Sequence, residues 1–410
     1  MTKILILYHY YWPDDVVSSS LFTDLCEGLA QRGHIVDVWP SNRPCHSLTM
    51  NQRKAHTANR YSTRPETRNG VKIHRVWRLP LSQHSFLGRI FNAIWMIKFW
   101  WLRLAFHSGY QPDVILVGTD PLLAVTIVPF LKFLRPKAKL VHWCFDLYPE
   151  AAIADGRLGP GSPLVKMVKW AMNASYPKCD LVADLGSCMR ERLKAYPVKK
   201  SATLTAWALE EPPHALAYDK SERRALFGDA PLGLLYSGSF GRPHEFYMMV
   251  KLARLMPTAR VTFSARGSRL AELHQALNPE DTNIHFAEFA PPEKLSARLC
   301  APDVHLVSLR PDWAGIVVPS KFFGALAVGR PVLFEGSLES SIARWIKEFG
   351  VGWVLTSDNM DKTAEDLLAF SGDEKRKKQM FEHCFDIYQA HYSKKIVMDR
   401  WDKEIKTLLG

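Results

Sequence analysis

The chain has 410 residues, 47% of them hydrophobic and 23% charged, which excludes a disordered chain and exceeds what one ordinary core holds; two domains fit. Seven cysteines, at 26, 45, 144, 179, 188, 300 and 384, form no CxxC pair and no metal-like spacing, so they read as reduced thiols of a cytoplasmic protein. The net charge of +12 sits almost wholly between Ser41 and Tyr110, where twelve Lys/Arg stand against one acid, Glu66; a solvated loop is the plain reading, and a polyanionic partner, nucleic acid or an anionic membrane surface, is the sharper one.

In chain order, MTKILILYHYYWP opens on a strand over Lys3 to Tyr8 and carries no apolar h-region or cleavage site of a signal peptide. An aromatic and acidic loop, Tyr10 to Asp15, leads to Ser18-Ser19-Ser20, which caps a helix ending near Gly33, and His34 to Trp39 is the second strand. This β–loop–α–β opening is how a doubly wound sheet begins. A basic polar loop, Asn42 to Asn69, precedes a strand over Val71 to Arg75.

The next stretch, Phe86 to Phe106 (FLGRIFNAIWMIKFWWLRLAF), decides between the two anionic partners. At about 100° per residue Arg89, Asn92, Arg103 and His107 share one face, Phe91, Ile94, Trp95, Ile97, Trp101 and Leu102 lie elsewhere, and Lys98 stands opposite the polar face and has to snorkel. The longest charge-free run, Ile90 to Ile97, is too short to span a bilayer. A basic, aromatic-rich helix lying in the membrane interface fits, with Phe91, Trp95, Trp100 and Trp101 as lipid contacts on the inner face of the cytoplasmic membrane. An ordinary buried helix is the alternative. Nucleic acid is disfavoured because no recognised binding module accompanies the charge.

Strands over Asp113 to Gly118, Leu140 to Cys144, Asp180 to Leu185 and Ala202 to Ala206 alternate with helices after Pro121 and over Pro163 to Ser175, which predicts a parallel sheet covered on both faces. Residues 1–206 then form an N-terminal Rossmann-like domain, and 207–230, with Glu210-Glu211-Pro212-Pro213, reads as a linker. Strands near 232, 260, 284, 304, 332 and 352 build a second doubly wound domain over 231–385, and 386–410 is a final helix.

Two stretches of the second domain suit a diphosphate. In LGLLYSGSFGRPHEF the strand Leu234 to Tyr236 runs into Gly238, Ser239 and Gly241, where the backbone can turn tightly, and Pro243 suits the first turn of a helix whose N-terminus favours an anion; Arg242 adds charge. A turn that binds nothing is the bland alternative. In GIVVPSKFFGALAVGRPVLFEG, Ser320 and Lys321 open a second small-residue helix, and Gly329 ends it before the strand Val332 to Phe334.

These stretches, with FSARGSRLAEL and DVHLVSLRP, resemble the nucleotide-sugar half of retaining glycosyltransferases of the GT-B group, GT4 type, that build bacterial surface polysaccharides such as O-antigen; CFDLYPEAAIADGRL is similar to the aspartate-aromatic-proline-glutamate stretch of their first half. The resemblance implies an α/β GT-B fold of two Rossmann-like domains facing across a cleft, with the last helix returning to brace the first domain through Trp401 and Leu408. It implies donor contacts from Gly238, Ser239, Gly241, Arg242, His244, Glu245, Gly267, Ser320 and Lys321, with Glu245 on sugar or ribose hydroxyls. From the first domain it implies Asp146 and Glu150 as catalytic residues and Tyr10, Trp12, Asp14 and Tyr148 on the acceptor side. Asp146 also reads as a helix N-cap.

The chain departs from the family pattern at several places. Val17-Ser18 stands for a glycine pair, Phe145 for a histidine before the aspartate, His244 for a phosphate-binding lysine, and Ile316 and Gly324 for a spaced glutamate pair. No Asp-x-Asp suited to a divalent metal is present, so the expectation is a metal-independent enzyme using a UDP- or GDP-type sugar and a polyprenyl-diphosphate-linked acceptor. A nucleotide-sugar 2-epimerase and a non-catalytic nucleotide-sugar-binding subunit are the competing functions.

Overall fold

The computed structural model describes residues 1–14, 16–45, 63–83 and 85–410; Asp15 of the first loop, and Arg53, Lys54 and Arg60 of the basic segment, lie outside the described residues. The chain divides into two compact units, the first made of Met1–Leu185, Arg190–Thr205 and Met398–Gly410, the second of Gly186–Met189 and Ala206–Val397.

In the first unit the described residues form an eight-stranded sheet of β1 (Lys3–Leu7), β2 (Ile35–Val38), β3 (Glu66–Arg68), β4 (Val71–Ile73), β5 (Val114–Val117), β6 (Lys139–Trp143), β7 (Leu181–Asp184) and β8 (Ser201–Thr203), in the order β3-β4-β2-β1-β5-β6-β7-β8. All neighbours are parallel except β3 and β4, a hairpin turned at Asn69-Gly70, both with positive φ. Ile4 to Leu7 and Val114 to Val117 are fully buried because a parallel strand is covered on both faces.

The helices α1 (Val17–Gln31), α2 (Phe86–Phe106), α3 (Val128–Leu134), α4 (Glu150–Ala154) and α5 (Pro163–Ser175) connect these strands. The step from β1 to β2 through α1 runs one way along the sheet, and the steps through α2, α3 and α5 run the other way. Right-handed crossovers therefore put α2, α3 and α5 on one face and α1 on the opposite face. The C-terminal helix Lys394–Leu409 joins α1: Arg32 pairs with Asp399 at 2.6 Å and His34 with Asp402 at 2.7 Å. Trp401, fully buried, meets Trp143 edge-on, Ile405 is buried, and Leu408 is only half-buried.

The second unit holds a parallel sheet of β9 (Gly233–Ser239), β10 (Arg260–Arg266), β11 (Ile284–Ala287), β12 (Val304–Ser308), β13 (Val332–Glu335) and β14 (Gly352–Leu355), in the order β11-β10-β9-β12-β13-β14. The predicted linker is too long. Within 207–230, α6 (Lys220–Phe227) is capped by Asp219, whose side chain accepts the Glu222 amide, and it buries Leu226 and Phe227 in this unit. The predicted serine cap of α1 is also corrected, since that helix begins at Val17 after Val16 and Ser19 is buried inside it.

Candidate active site

Each sheet reverses its strand order at one point, and open parallel sheets bind ligands there, beyond the strand C-termini. In the second unit that point lies between β9 and β12. Gly238, at φ +123°, leaves β9 where an added Cβ would stand 2.9 Å from Lys321 Cε, so a bare backbone lets the lysine cross the turn. The β9 turn leads to α7 (Tyr247–Leu255), and Lys321 opens α8 (Lys321–Ala327). Its ammonium lies 5.1 Å from the Tyr236 ring centroid and 3.4 Å from His244 Nε2.

The His244 tautomer follows from its partners. Nδ1 lies 2.9 Å from the Ser308 carbonyl, which can only accept, so Nδ1 carries the proton and Nε2 accepts from Lys321. Burial, and then Lys321, hold the imidazole well below its ordinary pKa, so it is neutral. Burial also pushes the Lys321 ammonium down to about 7. The half-buried lysine thus sits beside a neutral histidine that accepts its hydrogen bond.

Around this pair the other predicted donor residues take unequal parts. Gly267, at φ +152°, passes so close to Phe240 that a Cβ would meet its carbonyl oxygen. Ser239 and Arg242 are exposed on the turn, and Gly241 is half-buried. Ser320 precedes α8, and its hydroxyl makes no capping bond among the described residues. Glu245 is partly committed: it accepts the Phe246 amide at 3.0 Å and lies 3.8 Å from Arg269. Arg269 was not anticipated; it is buried, donates to the His244 carbonyl at 2.7 Å and pairs with Glu272.

One expectation is overturned here. The helix after the glycine turn starts at Tyr247 rather than Pro243, and Glu335, at the end of β13, accepts the Met248 and Met249 amides at 3.1 Å each. Those amides are already satisfied by a buried carboxylate, whose pKa burial raises to about 7, so the start of α7 is not an open anion cradle. The positions of the missing glutamate pair are a buried Ile316 and a Gly324 whose added Cβ would meet only Leu299, at 3.8 Å.

In the first unit the switch point lies between β1 and β5. Tyr8, Tyr10, Asp120, Asp146 and Tyr148 follow the ends of β1, β5 and β6, and Arg89 comes in from the first turns of α2. Tyr8, stacked on Phe22 at 3.6 Å, points its hydroxyl at Asp120 Oδ2, 3.4 Å away. The Thr119 hydroxyl accepts the Phe145 amide at 2.8 Å and so ties the β5 and β6 loops together. Burial, and then the charge of Asp120, raise Asp146 to about 7 against the opposing pull of Arg89. Burial also raises Asp120, again opposed by Arg89. Burial would lower Arg89, but Tyr148 and Asp120 more than offset it. Two carboxyls with one guanidinium can accept a hydrogen bond from a hydroxyl without both carrying full charge.

Asp120 and Arg89 were not anticipated as site residues, although GTDP after the apolar run VILV carries the same signal as the FD after the next strand. Asp146 is not a helix cap: α4 starts after Pro149, and no amide among the described residues bonds the Asp146 carboxylate. Glu150, the other predicted catalytic carboxylate, opens α4. It is turned toward Tyr196, whose hydroxyl donates to it at 2.6 Å, and its other oxygen is buried without a partner. Trp12 lies under Arg68 at 4.8 Å and Asp14 accepts the Cys45 amide at 2.7 Å, so both hold loops. Tyr10 is buried, donates to Gln83 at 3.2 Å and stacks on His9. Phe145 packs on Trp143.

Helix α2 spans the predicted residues and turns part of its apolar face outward, as the sequence reading of Phe91 and Trp101 requires. Its polar face points into the unit: Asn92 is fully buried and donates to the Leu81 carbonyl, and Arg103 lies 4.6 Å above the Trp39 ring. Leu87, Phe91, Ile94, Lys98 and Trp101 face outward. Trp100 is corrected as a lipid contact, being 0% exposed with its indole N–H on the Trp39 carbonyl. Trp95 is half-buried against Trp77. The basic segment is also partly spent inside, where Arg75 pairs with Glu66, Arg68 with Glu27, and Arg78 contacts His9. No helix among the described residues is long and apolar enough to cross a membrane, and no group of three or more His, Cys, Asp or Glu among them is placed to hold a metal ion.

Residues 19–204 match the model of Glycosyltransferase Family 4. A probable glycosyltransferase, WbjE of Pseudomonas aeruginosa, is 23% identical over 315 residues, 73% of this chain and 75% of its own. Sucrose-phosphate synthase from Thermosynechococcus elongatus superposes with a TM-score of 0.72 at 15% identity, covering 100% of this chain and 99% of its own. HepE from Anabaena, in complex with UDP and glucose, gives 0.66 at 12% identity, with 99% and 100% covered. The fold is therefore GT-B, two parallel-sheet units of the kind these structures share.

Proposed function

We propose that the protein transfers a sugar, with retention, from a UDP- or GDP-type nucleotide sugar to a membrane-associated acceptor, a polyprenyl-diphosphate-linked saccharide or phosphate, in surface-polysaccharide assembly. The observation that carries the donor half is Lys321, laid across Gly238 at the switch point and held near neutrality beside a neutral His244. Cleavage of the sugar–phosphate bond builds negative charge on the β-phosphate, and Lys321 with Arg242 takes it up without a divalent metal. The anomeric C–O bond to phosphate breaks, a bond to the acceptor oxygen forms on the same face, and the acceptor proton passes to the leaving phosphate. Asp146, with Asp120 and Arg89, holds the hydroxyls of the acceptor or sugar. The outward apolar face of α2, whose first turns bring Arg89 to Asp120, supports a lipid-borne acceptor.

The test is mass spectrometry of products formed from a panel of UDP- and GDP-sugars with membrane extract. A lipid-soluble product enlarged by one sugar is expected. An epimerised nucleotide sugar with no acceptor product, or nucleotide binding without turnover of any donor, would replace this reading with an epimerase or a binding subunit.

A further inference from the structure

The outward face of α2 does not end with that helix. α3 packs against α2 on one side and α5 on the other, and all three cover the same face of the sheet. Trp101 of α2 meets Phe130 of α3 edge-on at 6.4 Å. Three residues on from Phe130, Phe133 is 83% exposed, and on α5 Met167 and Trp170 are 58% and 72% exposed at the same spacing. A soluble layer would place polar residues there, as the C-terminal helix does with its exposed Asp399, Lys403 and Lys406.

Charge narrows the occupant. The three helices carry Arg89, Lys98, Arg103, Lys132, Lys166 and Lys169 and no acid. Lys98, Lys166 and Lys169 are exposed beside the apolar residues, with stems long enough to reach a headgroup layer. A second copy of this face would set lysine against lysine with no carboxylate to pair. An anionic leaflet meets both features at once: acyl chains take the aromatic rings, and lipid phosphates take the lysines. The chain also runs from Asp120 through Pro121 and the half-exposed Leu122 and Leu123 toward α3, so the face begins a few residues from the acceptor-side carboxyls.

We propose that α2, α3 and α5 form one monotopic lipid face, with Phe130, Phe133, Met167 and Trp170 entering an anionic leaflet beside α2; this rests on the membrane-acceptor reading above and gives that reading its contact surface. Sequence periodicity had singled out only α2.

The experiment is co-sedimentation of the full chain with phosphatidylcholine vesicles, with and without 30% phosphatidylglycerol (a choice of roughly physiological anionic content), at low and high salt, with self-association followed by analytical ultracentrifugation. Wild type is expected to bind the anionic vesicles and keep a salt-resistant fraction. The double variant Phe133→Ser/Trp170→Ser, at exposed sites and with its fold checked by circular dichroism, should lower salt-resistant partitioning by about tenfold or more. Phe91→Ser/Trp101→Ser should act similarly. Wild type left in the supernatant at low salt would overturn both this proposal and the membrane-acceptor reading. Loss of binding in the α2 variant with wild-type binding in the Phe133/Trp170 variant would overturn this proposal alone. Concentration-dependent dimers abolished by Phe133→Ser/Trp170→Ser, with vesicle binding unchanged, would assign the face to a second copy instead.

Discussion

The two switch points occupy the same place in two similar sheets and carry opposite charge. The second unit sets a lysine over a glycine turn, and burial brings it down to about 7. The first unit sets two carboxyls around an arginine, and burial with mutual repulsion brings Asp146 up to about 7. On the proposed function the second unit supplies an anion-binding pole and the first a hydroxyl-binding pole. The difference comes from single side chains at strand ends rather than from the sheets.

The largest expected effect is on chemistry. Asp146→Asn should lower turnover about 100-fold, in the range of a lost positioned charged hydrogen-bond acceptor, and steady-state assays would detect it. A smaller loss would move the hydroxyl-binding role off Asp146. On the opposite pole, Gly238→Ala places a Cβ where Lys321 passes and strains a residue at positive φ. Nucleotide affinity measured by calorimetry should fall about tenfold while Asp146-dependent steps persist. Unchanged affinity would mean that Lys321 does not need that path.

Two weaker effects sharpen the acidic pole. Turnover should fall as pH drops below about 7, where Asp146 takes up a proton. Asp120→Asn removes the neighbouring charge that raises Asp146, so this acid limb should move down by about one pH unit; an unmoved limb would uncouple the two carboxyls. The smallest effect is on stability. Asp146 binds its proton more tightly folded than unfolded, so above pH 7 its ionised form opposes folding, and below about pH 4 the term vanishes. Asp146→Asn should raise the melting midpoint by about 2 °C at pH 8 and leave it unchanged at pH 4. A lower midpoint at both would give Asp146 a structural role.

Much of this was legible in the sequence because strand ends and glycine turns are local signals. Gly238 and Asp146 follow apolar runs that had to be buried strands, Lys321 opens a small-residue helix, and Phe86–Phe106 declared itself by period. Period placed Asn92 and Arg103 on one face of that helix but did not show what the face meets: they point inward to the Leu81 carbonyl and the Trp39 ring, partners the local pattern does not reveal. Glu335 was unreadable for the same reason, since it caps a helix some 86 residues earlier. Asp120, Asp219 and the Asn69-Gly70 turn had clear local signals that the stronger neighbouring patterns masked.

The most direct test sets the two poles against each other in one experiment: calorimetric titration of wild type, Lys321→Ala and Asp146→Asn with UDP and GDP at pH 7. The account predicts that Lys321→Ala weakens the preferred nucleotide by roughly 1.5–3 kcal/mol, about ten- to a hundredfold, while Asp146→Asn binds it as wild type does. Wild-type affinity in Lys321→Ala for every nucleotide that binds, or a comparable loss in Asp146→Asn, would contradict it.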